Sequence, residues 1–599
     1  MKFRELSKFF GSIESTSSRL DMADLLAKVF SQCSSEESAV VSYLVIGRVA
    51  PGFIPIEFNV SEKTILNVFA NIKDIKRENI ADKYAHLGDI GLVAMDVVGK
   101  RRSRGLEIMD VYERLWSIAM VYGTGSVNVR NTEIRLLLKE LCSIEAKFVV
   151  RILVQKLRLG LAAKTVLDAL SVSSNGDKTA RVQLESSYGV CSDLGHVASV
   201  FLDSGLKGLK KIAIVPGVPV SPMLVEREKT TAAIIKRIPA AIIQPKFDGL
   251  RCQIHIGVED CVFDNRIWST FWALAQKSGQ EGLFSQMSES SSKSSRVKLF
   301  SRNLEDLTEM FPEVVKAVEE LKISSGIFDS EVIGWNEATG EFFPFQETMT
   351  RKRKYRVKDA AQKVPVKAFI FDAIYLDGKS LVNQPVSERV KVVNNIFVRK
   401  KVLVSSKKWL VRSEKKLQKI FEKNISQGLE GIIAKCPNSK YKPGCRGFDW
   451  IKLKRASHGQ LADTVDLVVL GYYFGRGRQA DFGIGAFLGG VYDAKNDRFV
   501  TLAKVGTGVT DEEWRSIKQD LDNIKVNSAP KQVKVDKSLE PDQWVNPEIV
   551  VTVEADEITK SPNHTAGYAL RFPRLQVWGR DKLPDDCTRL KEIVAMSNS

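Results

Sequence analysis

Three segments of unlike class are predicted for this chain: an all-α part over residues 1–212, a mixed α/β part over 213–455 and a small β-barrel over 456–599. Three observations carry the division. Apolar residues recur at helical spacing through the first two hundred positions, as at Met22, Leu25, Leu26, Val29 and Phe30, which the 3.6-residue period places on one face. The passage Pro216-Gly-Val-Pro-Val-Ser-Pro-Met-Leu224 cannot be regular helix, so the first boundary falls just before it. Beyond it, apolar runs shorten to strand length. A chain of 599 residues also exceeds one hydrophobic core and suggests roughly three or four domains.

Within the first segment, Gly88-Asp-Ile-Gly-Leu-Val93, Gly123-Thr-Gly-Ser126 and Lys156-Leu-Arg-Leu-Gly-Leu161 punctuate the helical pattern. Glycines at helix starts leave backbone amides free for phosphate, and Lys156 and Arg158 add charge without reading sequence. On a bland reading the glycines are helix caps and the two cations a solvated helix face. In the second segment Cys252, Ile254 and Ile256 share one strand face, and strand-like runs follow at 326–335, 366–376 and 430–435, with helical stretches between. Residues 258–297 interrupt this pattern. Their Ser288-Glu-Ser-Ser-Ser-Lys-Ser-Ser295 end reads as a flexible loop, while Trp268, Phe271 and Trp272 suit packing. The third segment shows Leu467-Val-Val-Leu470, Phe487-Leu-Gly-Gly490, Phe499-Val-Thr-Leu502 and Ile549-Val-Val-Thr-Val553 between turn residues, and Gly475-Arg-Gly-Arg478 falls within it.

The net charge of +17 implies a polyanionic partner, nucleic acid first, because neutralising phosphates supplies affinity independent of sequence. The eight cysteines, at 33, 142, 191, 252, 261, 436, 445 and 587, include no Cys-x-x-Cys pair, which excludes a zinc module and a disulfide framework. The start, Met1-Lys-Phe-Arg-Glu-Leu-Ser-Lys-Phe-Phe10, has no uninterrupted apolar stretch, and no run approaches the ~18 residues of a membrane span. A cytoplasmic protein with no membrane partner is expected. The five histidines, at 86, 196, 255, 458 and 564, have no metal spacing, and Asn59-Val-Ser, Asn424-Ile-Ser and Asn563-His-Thr are chance sequons.

The densest chemistry begins where the apolar run Ala241-Ile-Ile243 meets Lys246-Phe-Asp-Gly249, with Arg251 two residues on. An amine attacks phosphorus only when deprotonated, so a nucleophilic lysine needs burial or a neighbouring cation, which Arg251 could supply. Downstream stand Phe300-Ser-Arg-Asn303, Phe328-Asp-Ser-Glu331, Phe369-Ile-Phe-Asp372, Glu430-Gly-Ile-Ile-Ala-Lys435 and Trp450-Ile-Lys-Leu-Lys454. This ordered set resembles the covalent nucleotidyltransferases, that is DNA ligases, RNA ligases and mRNA capping enzymes. The Gly-rich helical segment is similar to the DNA-binding domain that precedes the catalytic core of archaeal and eukaryotic replicative DNA ligases, and the C-terminal segment resembles their OB-fold domain.

The resemblance implies an ATP-dependent DNA ligase that seals nicks in double-stranded DNA through a lysine-AMP intermediate, in replication, repair and recombination. ATP and Mg²⁺ are the expected cofactors, and a monomer the expected state, nucleoid-associated in a prokaryote. By the same resemblance Lys246 is the nucleophile, Arg251 and Arg302 contact ribose and phosphate, and Phe371 stacks on adenine. Glu331 and Glu430 hold Mg²⁺, with Glu331 also at the nucleotide. Arg446, Lys452 and Lys454 grip the α-phosphate and triphosphate. Lys156 and Arg158 bind DNA, and Arg571, Arg574, Asp581 and Lys582 belong to the motif that acts on the leaving pyrophosphate.

Three departures from the family pattern are visible. Gln244 stands where the family usually has Glu, contacting the adenine amino group, and its carbonyl can accept the same bond. Aligned on Arg571-Phe-Pro-Arg574, the chain has Gly579 where the family has arginine, with Arg580 one place later before Asp581 and Lys582. The stretch 258–297 replaces a short hairpin. An RNA ligase or capping enzyme is the alternative, disfavoured because neither uses the helical domain. A catalytically dead DNA-binding scaffold is disfavoured by the intact Lys246, Glu331, Glu430 and Lys452, and NAD⁺ as donor by the missing four-cysteine zinc module. Leu6, Phe9 and Phe10 resemble a sliding-clamp peptide without its leading glutamine. Helix-core packing accounts for them better.

Overall fold

The computed structural model describes residues 1–598 apart from 17, 124, 259–295, 344, 352, 354–356, 399, 455–463, 476–481 and 581. The chain forms two compact units, one of residues 1–81 and 90–455, the other of 82–89 and 456–599.

The N-terminal part of the first unit is helical from Phe3–Glu14 to Leu194–Leu209. Its helices begin where short polar side chains accept from exposed backbone amides: Ser18 from Asp21, Ser34 from Glu37 and Ser61 from Thr64. Leu6 and Phe10 are fully buried, and Phe10 meets Phe148 edge-on at 5.3 Å, so the clamp-like triplet contributes core side chains. Gly125, at φ 82°, caps the helix Ser126–Glu140, and Gly88 takes φ 64° ahead of the helix Ile90–Val98. Lys156 and Arg158 are not on a helix face. They follow the end of the helix Ser143–Leu153 in an irregular segment, where Leu157 and Leu159 turn inward and Arg158 adopts φ 59°.

Among the described residues the rest of this unit has twelve strands: β1 (Leu224–Arg227), β2 (Ala241–Lys246), β3 (Leu250–Ile256), β4 (Val297–Ser301), β5 (Gly326–Asn336), β6 (Glu341–Phe342), β7 (Val366–Leu376), β8 (Lys379–Ser380), β9 (Leu403–Ser405), β10 (Trp409–Val411), β11 (Gly431–Lys435) and β12 (Arg446–Lys454). They form two sheets, one in the order β1-β12-β11-β2-β10, the other β4-β3-β5-β7-β8 with β6 on β5 and β9 on β7. Each sheet packs helices on its outer face. Ile234 and Leu417 lie against Ile243, Ile432 and Leu453 of the first, while Phe311, Val314 and Val393 lie against Ile254, Phe328 and Ile370 of the second. The inner faces are joined through Ile242, Ile327, Ile374, Tyr441 and Trp450. Polar residues that alternate with the outer apolar ones therefore point between two sheets rather than into water.

The second unit is β-rich. Strands Val465–Tyr473, Ala486–Asp493, Arg498–Val505 and Val550–Glu554 belong to an eight-stranded sheet, and Glu557–Lys560 pairs with Tyr568–Arg571 as a separate ribbon. Helix Asp511–Asn523 packs Trp514, Ile517 and Leu521 against Val469, Phe487 and Val505. Among the described residues no helix is long and apolar enough to cross a membrane.

Candidate active site

β2 delivers Lys246 to the gap between the sheets. The turn after it is set by packing: Phe247 is buried and stacks on Phe369 at 4.5 Å. A Cβ on Gly249 would stand 2.5 Å from the Val332 carbonyl, so only glycine lets the chain pass there. Across β11 and β12 the register aligns Lys246 with Gly431 and Lys454, and Gln244 with Ile433 and Lys452. Side chains two apart on a strand share a face, which collects two lysines of β12 beside Lys246 and Gln244. Gly431 sits at φ 153°, where a Cβ would fall 2.1 Å from the Leu453 carbonyl. Its lack of a side chain lets the neighbouring rows close up.

Glu430 bonds both the Lys246 and the Lys454 ammonium, and its own N–H donates to the Lys246 carbonyl at 3.0 Å. Burial works against its carboxylate, but Lys246 and Lys454 outweigh it and hold the group below the ordinary range. Lys452 is pulled down by burial, then by the like charges of Lys454, Lys246 and Arg446. Three lysines, 246, 452 and 454, thus share the field of one carboxylate.

The opposite sheet contributes Arg251, Asp329, Glu331 and Phe371. Arg251 forms an ion pair with fully buried Asp329 and donates to the Tyr441 hydroxyl at 3.4 Å, so its charge is already balanced rather than free to act on Lys246. Glu331 lies beside it in the ladder. Burial pushes its carboxyl up to about 7, opposed by Lys246, Arg251 and the Gly249 N–H and reinforced by Glu430. Two neighbouring carboxylates that repel each other suit a hard divalent cation; no group of three metal-ligating residues occurs among the described residues. Gln244 spans the gap by donating from Nε2 to the Phe371 carbonyl at 3.2 Å, which leaves its buried Oε1 without a partner.

Several residues here were not singled out by the sequence. Tyr441 donates to Asp329 Oδ2 at 2.8 Å, and Gln253 Nε2 donates to Asp329 Oδ1 at 2.9 Å and to the Val220 carbonyl at 3.0 Å. Gln253 Oε1 accepts from the Val220 N–H at 2.8 Å and faces His255 Nε2 at 3.0 Å, while His255 Nδ1 accepts from the Gly217 N–H at 3.0 Å. The proton of neutral His255 is therefore on Nε2, and burial lowers the imidazole to about 3. The proline-rich stretch is fastened to β3 through these bonds. Lys435, Asp372 and Arg389 form a second buried ionic group. Asp329, Asp372 and Lys435 all stand inside motifs already quoted, which was the available signal.

Arg302 is exposed in the turn after β4, next to the Cys252–Ser301 pair and so beside Arg251, and Arg446 is exposed where β12 begins. Lys156 pairs with Glu62 at 2.9 Å. In the second unit Arg574 pairs with Asp556, Arg571 with Glu557 at 3.4 Å and Lys582 with Asp466 at 2.7 Å. Gly579 has φ 67°, a conformation costly for arginine, which accounts for glycine at that place. Asp581, most of the 258–297 stretch and Arg476–Arg478 lie outside the described residues.

Three family models match the chain: the DNA ligase N terminus over residues 2–171, the ATP dependent DNA ligase domain over 287–454 and the ATP dependent DNA ligase C terminal region over 481–582. A probable DNA ligase of Dictyoglomus thermophilum is 40% identical over 605 residues, covering 100% of this chain and 97% of its own. DNA ligase 2 of Korarchaeum cryptofilum is 35% identical over 621 residues, with the same coverage of 100% and 97%. The solved structure Pmar-Lig_PreS3, at 16% identity and TM-score 0.54 over 96% of this chain and 98% of that one, shares the fold. With family models along its length and relatives aligned across all of it, the chain belongs to the ATP-dependent DNA ligases.

Proposed function

We propose that Lys246 carries AMP during nick sealing, on the strength of one observation: its ammonium and that of Lys454 share Glu430 in a lysine-rich row beside a buried, unpartnered Gln244 oxygen. Nζ gives up its proton, for which the bonded Glu430 carboxylate is the nearest acceptor, and attacks the α-phosphorus of ATP. A P–N bond forms as the P–O bond to pyrophosphate breaks. AMP then passes to the 5′-phosphate of the nick, Lys246 is regenerated, and the 3′-hydroxyl displaces AMP to make the phosphodiester.

Arg446, Lys452 and Lys454 neutralise the α-phosphate and triphosphate, and guanidinium forks of Arg251 and Arg302 suit ribose and phosphate oxygens. Gln244 Oε1 accepts from the adenine amino group, and Phe371, half-exposed on β7, stacks on the ring. Glu331 and Glu430 would hold Mg²⁺, a cation usually bound by one or two carboxylates plus substrate phosphates. When bound, it supplies charge neutralisation at the reacting phosphates. Lys156 and Arg158 bind the DNA backbone, and Arg571, Arg574, Asp581 and Lys582 act on the leaving pyrophosphate. The segments 1–212, 213–455 and 456–599 serve as helical DNA-binding, nucleotidyltransferase and OB-fold domains of a monomer working on nicked DNA in the cytoplasm, nucleoid-associated in a prokaryote. Burial of Leu6 and Phe10 gives no support to a sliding-clamp contact through them.

The test is incubation with α-labelled ATP, GTP or NAD⁺ and Mg²⁺ without DNA. Wild-type protein takes up AMP from ATP as an acid-labile, alkali-stable adduct and Lys246→Ala takes up none. Undiminished labelling in that variant removes Lys246 from the mechanism.

A further inference from the structure

The Phe371 carbonyl accepts two bonds, one from Gln244 Nε2 at 3.2 Å and one from Lys435 Nζ at 3.1 Å. Both of its lone pairs are thereby used. The carbonyl belongs to the seven-stranded sheet, whereas Gln244 and Lys435 belong to β2 and β11 of the facing one. The two bonds therefore clamp the sheets together at the place where Gln244 presents its free oxygen. Lys435 is 1% exposed, and an ammonium is costly to bury unless its bonds are made. Asp372 Oδ2 receives it at 3.4 Å, and the Trp450 ring lies 3.8 Å away. Burial lowers Lys435 to about 8, while Asp372 opposes that fall. Asp372 does not depend on Lys435 alone, because Arg389 binds both of its oxygens, at 2.7 and 3.1 Å.

An amide side chain can usually turn over and exchange its donor for its acceptor. At Gln244 the exchange would set Oε1 against the Phe371 carbonyl, acceptor facing acceptor. As long as that carbonyl stays in place, the buried, unpartnered atom of the Gln244 amide is an acceptor. A 6-amino purine satisfies it by donating, whereas a 6-oxo purine offers a second acceptor and leaves both unpaired. Sites built on one buried hydrogen bond discriminate strongly for this reason.

We propose that Lys435 is a positioning residue for donor selectivity: by holding the Phe371 carbonyl it fixes the Gln244 amide, so that the site takes adenine nucleotides over guanine nucleotides. The inference rests on the reading that Gln244 faces the purine.

The test measures self-nucleotidylylation of the full chain with α-labelled ATP and GTP, at varied nucleotide concentration, for wild type, Lys435→Met, Lys435→Gln and Gln244→Ala. Methionine removes the donor at similar volume and should raise KM for ATP so that the ATP/GTP ratio of kcat/KM falls about tenfold or more, with kcat changed less than about twofold. Glutamine still donates to the carbonyl and should keep the ratio within about threefold of wild type. Sealing of a nick already carrying AMP should be unaffected in both. If Lys435→Met does not fold, as judged by circular dichroism, Lys435→Ala is read against the same expectation. Equal losses with ATP and GTP, or an unchanged ratio, would overturn the positioning role. Loss of the ratio in Gln244→Ala but not in Lys435→Met sinks this proposal alone, whereas an unchanged ratio in Gln244→Ala removes the purine contact on which it stands.

Discussion

Glu331 shows how far one environment moves one group. Its carboxyl rises from 4.5 to about 7 because burial disfavours the charged form more than Lys246 and Arg251 favour it. Below about pH 4.5 the folded and unfolded chains are both protonated at this position, and the shift has no effect on stability. As pH rises the unfolded chain ionises first, so a destabilising contribution grows through the interval and is complete above about pH 7. Glu331→Gln removes it. Without nucleotide or divalent cation, the variant should melt with wild type near pH 4.5 and above it at pH 8, by roughly 2–4 °C for each kcal/mol recovered, while adenylylation falls. Calorimetry across this range checks the sign, and a difference that does not grow with pH contradicts the burial argument. The residue types of Lys246, Glu331 and Glu430 were readable in the sequence. The charge balance was not: Arg251 looked free to act on Lys246, and its pairing with Asp329 depends on strands far apart in the chain.

At the scale of elements, β3 was read from Cys252, Ile254 and Ile256, which do face the core. Its other face was silent because polar residues on a strand are ordinarily solvated, and here the 216–223 passage covers them. Gln253 and His255 consequently anchor the 216–223 passage, which the sequence could describe only as non-helical. The Lys156–Leu161 stretch follows the same logic: Leu157 and Leu159 are buried from an irregular segment, a period-two pattern within an otherwise helical region. Gln253 makes or receives four bonds with Val220, Asp329 and His255. Gln253→Leu leaves those groups buried and unmatched, at roughly 1–3 kcal/mol for each that finds no substitute. The variant should unfold at lower denaturant and be cut faster by protease within 213–223. Cleavage there at the wild-type rate, in a variant of unchanged stability, would show that the segment is held by packing alone.

For the molecule as a whole, the helical, mixed and β-rich succession was legible because each class has its own period, and the apolar runs of the third segment became its strands. The C-terminal departure is explained locally, Gly579 by its left-handed backbone, yet nothing local says when in the reaction each end of the chain is used. The step dependence follows from the charges each end carries. Lys582 belongs to the motif assigned to pyrophosphate, and its surface pair with Asp466 at 2.7 Å contributes at most about 1 kcal/mol to stability. Lys582→Ala should therefore fold normally and slow adenylylation by ATP. It should still seal a nick whose 5′-phosphate already carries AMP, since no pyrophosphate is released in that reaction. Lys156 and Arg158 stand in the helical part, and Lys156 is tied to half-buried Glu62 at 2.9 Å. Changing both to alanine should leave self-adenylylation intact, weaken nick binding and flatten its salt dependence by about one unit of slope for each phosphate no longer neutralised. Normal adenylylation by the Lys582 variant, or normal binding and sealing by the double variant at moderate salt, would show that the end concerned plays no part in the step assigned to it.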